Sequence, residues 1–442
     1  MKRFITIVLT LAMMLTLFGC KTKTTSSTIT IVEDETSSEN NQSDNNNSSG
    51  TEDSSTTDSS NQSQSGTSSN DTDDTQQVVV DYNTVVEVDL CDDVIRGYLD
   101  AATPSQQYAF LSQYDTMVLD HQNLPLRWSP DGSPTYTLHI SENADFSNAY
   151  TTPVTGKYDN GELVLSKVAT FLYPGKTYYW KIVGTHEETL VRGGGKIRIK
   201  NEPVRWIKLD GVSNARDMGG WKTESGKTVN YGKIYRGAML DKITSTGIEQ
   251  LKYLGIKTDL DIRSTQSWDK HGAVAGTGLN YYFIDTSAHY DYIFSSMGVP
   301  VEEVKTNYPE IFKILADESN YPVYMHCNYG NDRTGSMAFI LNGLLGVNYE
   351  DLTRDYEITS YAFSHDRRWR GDGTGGTFAP DDLIQHNISN SDVDGRWGMM
   401  NKAFMESTYC TDGKLSTAIE NFLLDAGVKQ EHIDAYKKIM LS

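Results

Sequence analysis

Basic charge is what this chain of 442 residues has too little of: 39 Lys and Arg stand against 59 Asp and Glu, a formal charge of −20. That balance excludes a general nucleic-acid surface and favours solubility. Cysteine is scarce as well, at four, so each position has to be accounted for singly. Long apolar runs are also missing. The run from Phe4 to Phe18, behind Lys2 and Arg3, is too short for a comfortable transmembrane helix and suits the apolar core of a signal peptide. From Lys21 to Gln77 apolar residues almost vanish, and eleven Asp and Glu face only Lys21 and Lys23. Such a stretch cannot bury enough surface to offset the entropy of ordering, so disorder is expected there.

What is present divides the chain. Its length argues for more than one domain. Leu17-Phe18-Gly19-Cys20 resembles a bacterial lipobox. The resemblance implies a signal peptide over 1–19, removed before Cys20, and a lipid on Cys20 that anchors the mature protein outside the cytoplasmic membrane. Residues 20–77 then form a flexible acidic tether. An ordinary secretory signal with an incidental Cys20 is the alternative.

Residues 78–200 carry short alternating runs separated by turn signals at Ser129-Pro-Asp-Gly132, Asp159-Asn-Gly161, Pro174-Gly175 and Gly193-Gly-Gly195. That spacing predicts an antiparallel β-sandwich. Leu172-Tyr-Pro-Gly-Lys-Thr-Tyr-Tyr-Trp180 resembles the tyrosine-corner strand of fibronectin type III modules; Leu126-Arg-Trp128 and Thr135 to Ile140 resemble the earlier strands. A wall polymer or a protein could bind such a module, or it could be a spacer packed on the part of the chain that follows. Thr103-Pro-Ser-Gln-Gln-Tyr-Ala-Phe-Leu reads as a short helix ahead of it.

From 201 to 442 strands and helices alternate, which predicts an α/β layer with a mainly parallel sheet. Thr246-Gly-Ile-Glu249 has the pattern of a capping box, Ile256 to Ile262 reads as a strand, and a helix is expected over Tyr308 to Ala316. Lys414 to Leu424 and Glu431 to Leu441 are apolar at helical spacing. The pivotal stretch is Tyr321 to Ser336. A short apolar run delivers Cys327, a polar loop follows through Asn328, Tyr329, Gly330 and Asn331, and a helical run begins beyond Thr334. A loop at a helix N-terminus can aim several N–H groups at a phosphate dianion, and the same field favours a thiolate. Arg333 can hold two phosphoryl oxygens at once. A buried cysteine ending a strand is the alternative, and it leaves the arginine and glycine unexplained.

His326-Cys327-x-x-Gly330-x-Asp332-Arg333-Thr334-Gly335 resembles the signature loop of the cysteine-dependent tyrosine phosphatase superfamily, in its bacterial secreted, triple-specificity type. The family's loop has a lysine where this chain has Asn331. Ser213 to Gly220, Gly232 to Ala238 and Leu260-Asp-Ile-Arg263 resemble three further segments of that family. The resemblance implies a cysteinyl-phosphate mechanism without metal or other cofactor. Cys327 is then the nucleophile, Arg333 the phosphoryl clamp and Asp332 the acid that protonates the leaving group, with Asp285 and Asp291 as alternatives. His326 would orient the loop, and the Thr334 hydroxyl would bond the departing sulfur. Asn214, Arg216, Asp217 and Arg263 are candidates for support of the loop or of substrate.

Asparagine at 331 brings hydrogen bonds without charge, which argues against lipid or polyphosphorylated substrates unless Arg367, Arg368 and Arg370 fold over the site. Those arginines open a glycine-rich segment from Ser364 to Met400, readable as a lid or a surface insertion. Asn390-Ser-Asp-Val-Asp-Gly395 begins like a calcium loop, but Asn401 stands where its closing glutamate is needed, so no metal is expected. Cys91 and Cys410 remain, and their pairing stays open. The expected function is a surface-anchored phosphatase acting on phosphotyrosine, in a phosphorylated protein or a small phosphomonoester. The alternatives are an inositol-phosphate or sugar-phosphate phosphatase, and a non-catalytic surface binding protein.

Overall fold

Alternation of apolar and polar residues builds the first part of the molecule. The computed structural model describes residues 78–102, 106–107, 110, 124, 126–165, 171–186, 190–265, 271–286, 299–362 and 396–441. Cys20, the signal and tether readings, most of the helix expected at Thr103, Asp291, Arg367, Arg368, Arg370 and the calcium-like loop lie outside the described residues.

Strands β1 (Val85–Val88), β3 (Tyr136–Ser141), β4 (Tyr150–Val154), β7 (Thr177–Gly184) and β8 (Val191–Ile199) form a sheet in the order β1-β8-β7-β3-β4. A second sheet has the order β2-β6-β5, from β2 (Arg127–Trp128), β5 (Gly156–Asp159) and β6 (Glu162–Leu165). All pairs are antiparallel except β1 with β8. Trp128, Tyr136, Leu138, Ile140, Leu163, Trp180, Ile182 and Ile197 from the two sheets share one core. At the start of β7 the Tyr178 hydroxyl accepts the Tyr173 N–H at 2.9 Å, pinning the incoming chain. Three of the turn signals fall between strands or at a strand end, but Gly193-Gly-Gly195 lies inside β8, where a Cβ on Gly193 would stand 2.6 Å from the Arg127 carbonyl oxygen, so close packing and not a turn requires glycine there.

One element inside this stretch serves elsewhere. Helix α1 (Asp93–Asp100) starts at Asp92, whose carboxylate accepts the Val94 N–H at 2.9 Å. Its Ile95, Tyr98 and Leu99, with the preceding Cys91, join the core of the following α/β layer rather than that of the sandwich. Tyr98 donates its hydroxyl proton to the buried Glu357 carboxylate. Cys91 and Cys410 are both free thiols.

The second part is a five-stranded sheet of order β12-β11-β13-β10-β9, with β9 (Arg216–Asp217), β10 (Ile234–Gly237), β11 (Thr258–Asp261), β12 (Asn280–Phe283) and β13 (Val323–His326). Four strands run parallel and β9 runs against β10, so the mainly parallel sheet is as expected. Helix α2 (Ser245–Tyr253) lies on one face. Thr244, not Thr246, caps it, by accepting the Gly247 N–H at 3.2 Å, and Glu249 pairs with Lys252 instead of closing a capping box. The opposite face carries α3 (Glu302–Leu315), α4 (Asp332–Leu344), α5 (Tyr349–Glu357), α6 (Arg396–Met405), α7 (Leu415–Asp425) and α8 (Gln430–Met440). Helix α3 begins at Glu302 rather than Tyr308, with Glu302 and Glu303 placed where a helix N-terminus favours negative charge. None of the described helices is long and apolar enough to cross a membrane.

Strand β13 is buried along its whole length, with Val323 and Met325 facing the helical core and Tyr324 facing α2. Helix α4 is buried from Thr334 to Leu344, as a helix apolar on all sides must be. Strand and helix together hold the intervening loop from both ends. The described residues fall in one compact unit. Phe171 and Tyr150 pack on Tyr253 of α2, with ring centroids 5.0 and 4.5 Å away. The Arg205 guanidinium stacks on Tyr173 at 3.8 Å and donates to the Leu172 carbonyl and to Asp217, at 2.7 and 2.8 Å.

Candidate active site

Parallel strands end together, so β13 brings His326 and Cys327 to the carboxyl edge of the sheet, where ligands bind in open α/β layers. Cys327 is 3% exposed. Burial raises its pKa, but the Arg333 charge and the neighbouring Thr334 lower it, and Asp332 opposes them; the balance falls below the usual thiol value. The side chain is therefore more thiolate-like than an isolated cysteine.

The loop turns at Gly330, whose φ of +68° suits glycine. A Cβ there would stand 2.3 Å from the Gly237 carbonyl oxygen, so the close approach of loop to β10 also requires glycine. Asn331 is the N-cap of α4 and makes no capping bond with its side chain. The first-turn N–H groups are thereby left for an anion, with the positive end of the helix behind them. Arg333, in that first turn, donates to the Thr286 carbonyl at 3.4 Å. Asp332 is likewise in the first helical turn rather than in the loop.

Beneath the loop lies a set of buried polar groups. Asn214 Nδ2 donates to the Tyr329 carbonyl at 3.0 Å, and Arg236 Nη2 to the Gly330 carbonyl at 2.8 Å. Arg216 donates to Asn214 Oδ1, and both Arg216 and Arg236 donate to Asp355 of α5. His326 faces Asp259, Nε2 to Oδ1 2.9 Å, while its Nδ1 lies 3.0 Å from the Cys327 carbonyl. Burial opposes a charge on this ring, but Asp259 and Asp261 outweigh it and hold its pKa at about 9. His326 is thus a cation at neutral pH.

The remaining sequence candidates sit further out. Arg263 is fully engaged by Asp261, at 2.8 Å, and by Asp241, at 2.9 Å. Asp261 also accepts from Tyr281 at 2.9 Å, and although burial resists its ionisation, Arg263 and His326 lower its pKa to about 2. Asp217 does not reach the loop. It bonds Arg205 and the N–H groups of Gly219 and Gly232, at the joint with the sandwich. Asp285 accepts from Thr265 at 2.9 and 2.7 Å. Among the described residues no group of three or more His, Cys, Asp or Glu side chains could hold a metal.

Sequence reasoning passed over Arg236, Asp259, Asp355 and Glu357. Arg236 stands in a segment singled out for resemblance, and the alternation of Asp259 with Asp261 places both on one face of β11. Asp355 and Glu357 carried no signal, because they are two acids in a helix with polar residues on both sides.

Residues 207–442 match the tyrosine phosphatase family. A protein of Cupriavidus necator bearing the name of a tyrosine-protein phosphatase is 25% identical over 167 residues, 34% of this chain. The chain spans only 61% of that relative's length. A tyrosine-protein phosphatase of Nostoc commune is 24% identical over 46% of this chain and 72% of its own length. Among solved structures, the core catalytic domain of the PP-IP phosphatase SIW14 from S. cerevisiae, in complex with citrate, is 16% identical. It covers 38% of this chain and 89% of its own, at a TM-score of 0.23.

Proposed function

For a chain that belongs to the tyrosine phosphatase family, we propose hydrolysis of phosphotyrosine, and of other phosphomonoesters, by a covalent cysteine mechanism at the membrane surface. The observation that carries this reading is the placement of Cys327, its thiol held below the ordinary value by Arg333 and Thr334, at the uncapped N-terminus of α4.

Cys327 Sγ attacks phosphorus while the bond to the ester oxygen breaks. Arg333 and the loop N–H groups of Asn328 to Asn331 take up the charge spread over the phosphoryl oxygens. Asp332 gives its proton to the leaving oxygen, then takes one from the water that attacks the cysteinyl-phosphate, so that phosphate leaves and the thiolate returns. The Thr334 hydroxyl bonds the sulfur as it departs. His326 and Asn214 hold the loop's shape, Arg216 acts through Asn214, and Arg263 orders the neighbouring strand end. Phosphorylated protein or a small phosphomonoester is the substrate.

Around this catalytic domain, residues 201–442, the reading places a fibronectin type III-like sandwich over 78–200, an acidic tether over 20–77 and a signal peptide over 1–19. Lipidated Cys20 anchors the protein outside the cytoplasmic membrane. The tyrosine-corner bond of Tyr178 supports the sandwich assignment.

The test is phosphate release by the full chain in detergent and chelator, from a phosphotyrosine peptide, a phosphoserine peptide and inositol phosphates, beside Cys327→Ser. Release that favours phosphotyrosine and disappears in Cys327→Ser is expected. Full turnover in that variant ends the covalent mechanism; preference for inositol phosphates replaces the substrate class. For the anchor, labelled palmitate should enter the wild type in its native host and not Cys20→Ala.

A further inference from the structure

Asp355 lies within the family match but outside the short motifs read from the sequence, and it occupies the centre of the polar layer beneath the loop. It is 5% exposed, between two guanidinium groups that are 0% exposed. Its Oδ1 accepts from Arg216 Nε at 3.1 Å and its Oδ2 from Arg236 Nη1, while its carbonyl accepts from Arg216 Nη2 at 2.8 Å. Thr359, one helical turn on, accepts from the same Arg216 nitrogen at 3.1 Å. Both arginines are thus fixed in position by α5.

The other ends of these arginines control the loop. Arg236 Nη2 holds the Gly330 carbonyl, and Arg216 holds Asn214, whose Nδ2 holds the Tyr329 carbonyl. A trans peptide is planar, with its N–H opposite its C=O. Drawing the Tyr329 and Gly330 carbonyls downward therefore turns the N–H groups of Gly330 and Asn331 upward, towards an anion at Cys327. Arg236 also lies against the start of α4, since a Cβ on Gly335 would stand 3.2 Å from its Nη2.

Burying two guanidinium groups together is costly. Burial and the neighbouring Arg236 push the pKa of Arg216 down to about 10, against the attraction of Asp355. One carboxylate serving both groups makes this arrangement tenable. Without it the arginines repel one another, and the carbonyls they hold lose their fixed donors.

We propose that Asp355 is a positioning residue for the phosphate loop: through Arg236, and through Arg216 and Asn214, it orients the loop N–H groups that bind the phosphoryl oxygens. The proposal rests on the reading of Cys327 to Arg333 as the phosphate site.

The test uses the full chain in detergent, with Asp355→Asn and Arg236→Lys beside wild type. Alkylation of Cys327 by iodoacetamide, followed by mass spectrometry of its peptide, gives the inorganic phosphate concentration for half-protection. Removing a negative charge would, by charge alone, tighten phosphate. Lost positioning does the opposite, so half-protection in Asp355→Asn should need about tenfold more phosphate, the loss of one hydrogen bond to a charged group. Its kcat/KM should fall about 100-fold, as an ångström-scale misplacement costs. Arg236→Lys keeps the charge but not the fork that spans Asp355 and Gly330, so it should weaken protection in the same direction. It decides the matter where Asp355→Asn does not fold. Unchanged or tighter protection in the folded variants overturns the proposal, even if their melting temperatures fall. Absence of phosphate protection in the wild type overturns the phosphate-site reading itself.

Discussion

Arg205 and Asp217 meet at 2.8 Å with neither side chain exposed to solvent. The same guanidinium donates to the Phe171 and Leu172 carbonyls, so the pair ties the end of the sandwich to β9 of the α/β layer. Asp217 also accepts the Gly219 and Gly232 N–H groups at 2.9 and 2.8 Å.

Removing one partner of such a pair leaves a buried charge without compensation. Asp217→Ala should lose about 3–5 kcal/mol of stability, read from urea unfolding of the full chain. A loss below about 1 kcal/mol would place the pair among those that contribute little.

Gly330→Ala meets two obstacles, a φ of +68° and a Gly237 oxygen 2.3 Å from the new Cβ. The left-handed backbone alone costs about 1–2 kcal/mol. Protection of Cys327 by inorganic phosphate should be lost, because relieving the clash moves the loop away from β10. Protection at the wild-type concentration would show that the loop tolerates the shift.

His326 sets a pH dependence whose sign follows from its raised pKa. Its folded value of about 9 lies above the ordinary histidine value of 6.5, so the proton is bound more tightly in the folded state. That stabilisation is fully present below about pH 6.5 and is lost as pH rises through 9. At 1.36 kcal/mol per unit the shift corresponds to roughly 3 kcal/mol. The stability of wild type should therefore fall relative to His326→Gln across this window, measured by urea unfolding at a series of pH values. Parallel curves for the two proteins would mean that the ring is neutral when folded.

Asp332→Asn tests the acid. With an alkyl phosphate, whose leaving group needs a proton, kcat should fall about 100-fold or more. With an activated aryl phosphate the loss should be much smaller. Equal losses on both substrates would point to a role in shaping the loop, and no loss on the alkyl ester would move the acid to another carboxylate.

The strand, loop and helix around Cys327 were legible because their signals are local. An apolar run ends at His326, glycine stands where φ is positive, and the residues beyond Thr334 continue a helix, begun at Asp332, that is buried from Thr334 to its end. Most sandwich strands were legible for the same reason, through alternation and turn residues, except that Gly193-Gly-Gly195 reads as a turn and lies inside β8. Ends of helices were less so: Thr244 and Thr246 both suit a cap, and only the bond to the Gly247 N–H separates them.

The chain's own order thus determined which residues form the loop and the sheet that delivers it, since backbone periodicity and turn chemistry are properties of neighbours. Tertiary structure alone decided what lies beneath and beside that loop. Asp355 reaches Arg236 across 119 positions and Tyr98 reaches Glu357 across 259, so no periodicity could announce either contact. It also sent Asp217 to the joint instead of the loop, and α1 into the core of the α/β layer. Burial creates these roles, because a charged or polar group removed from water must find a partner wherever the fold brings one within reach.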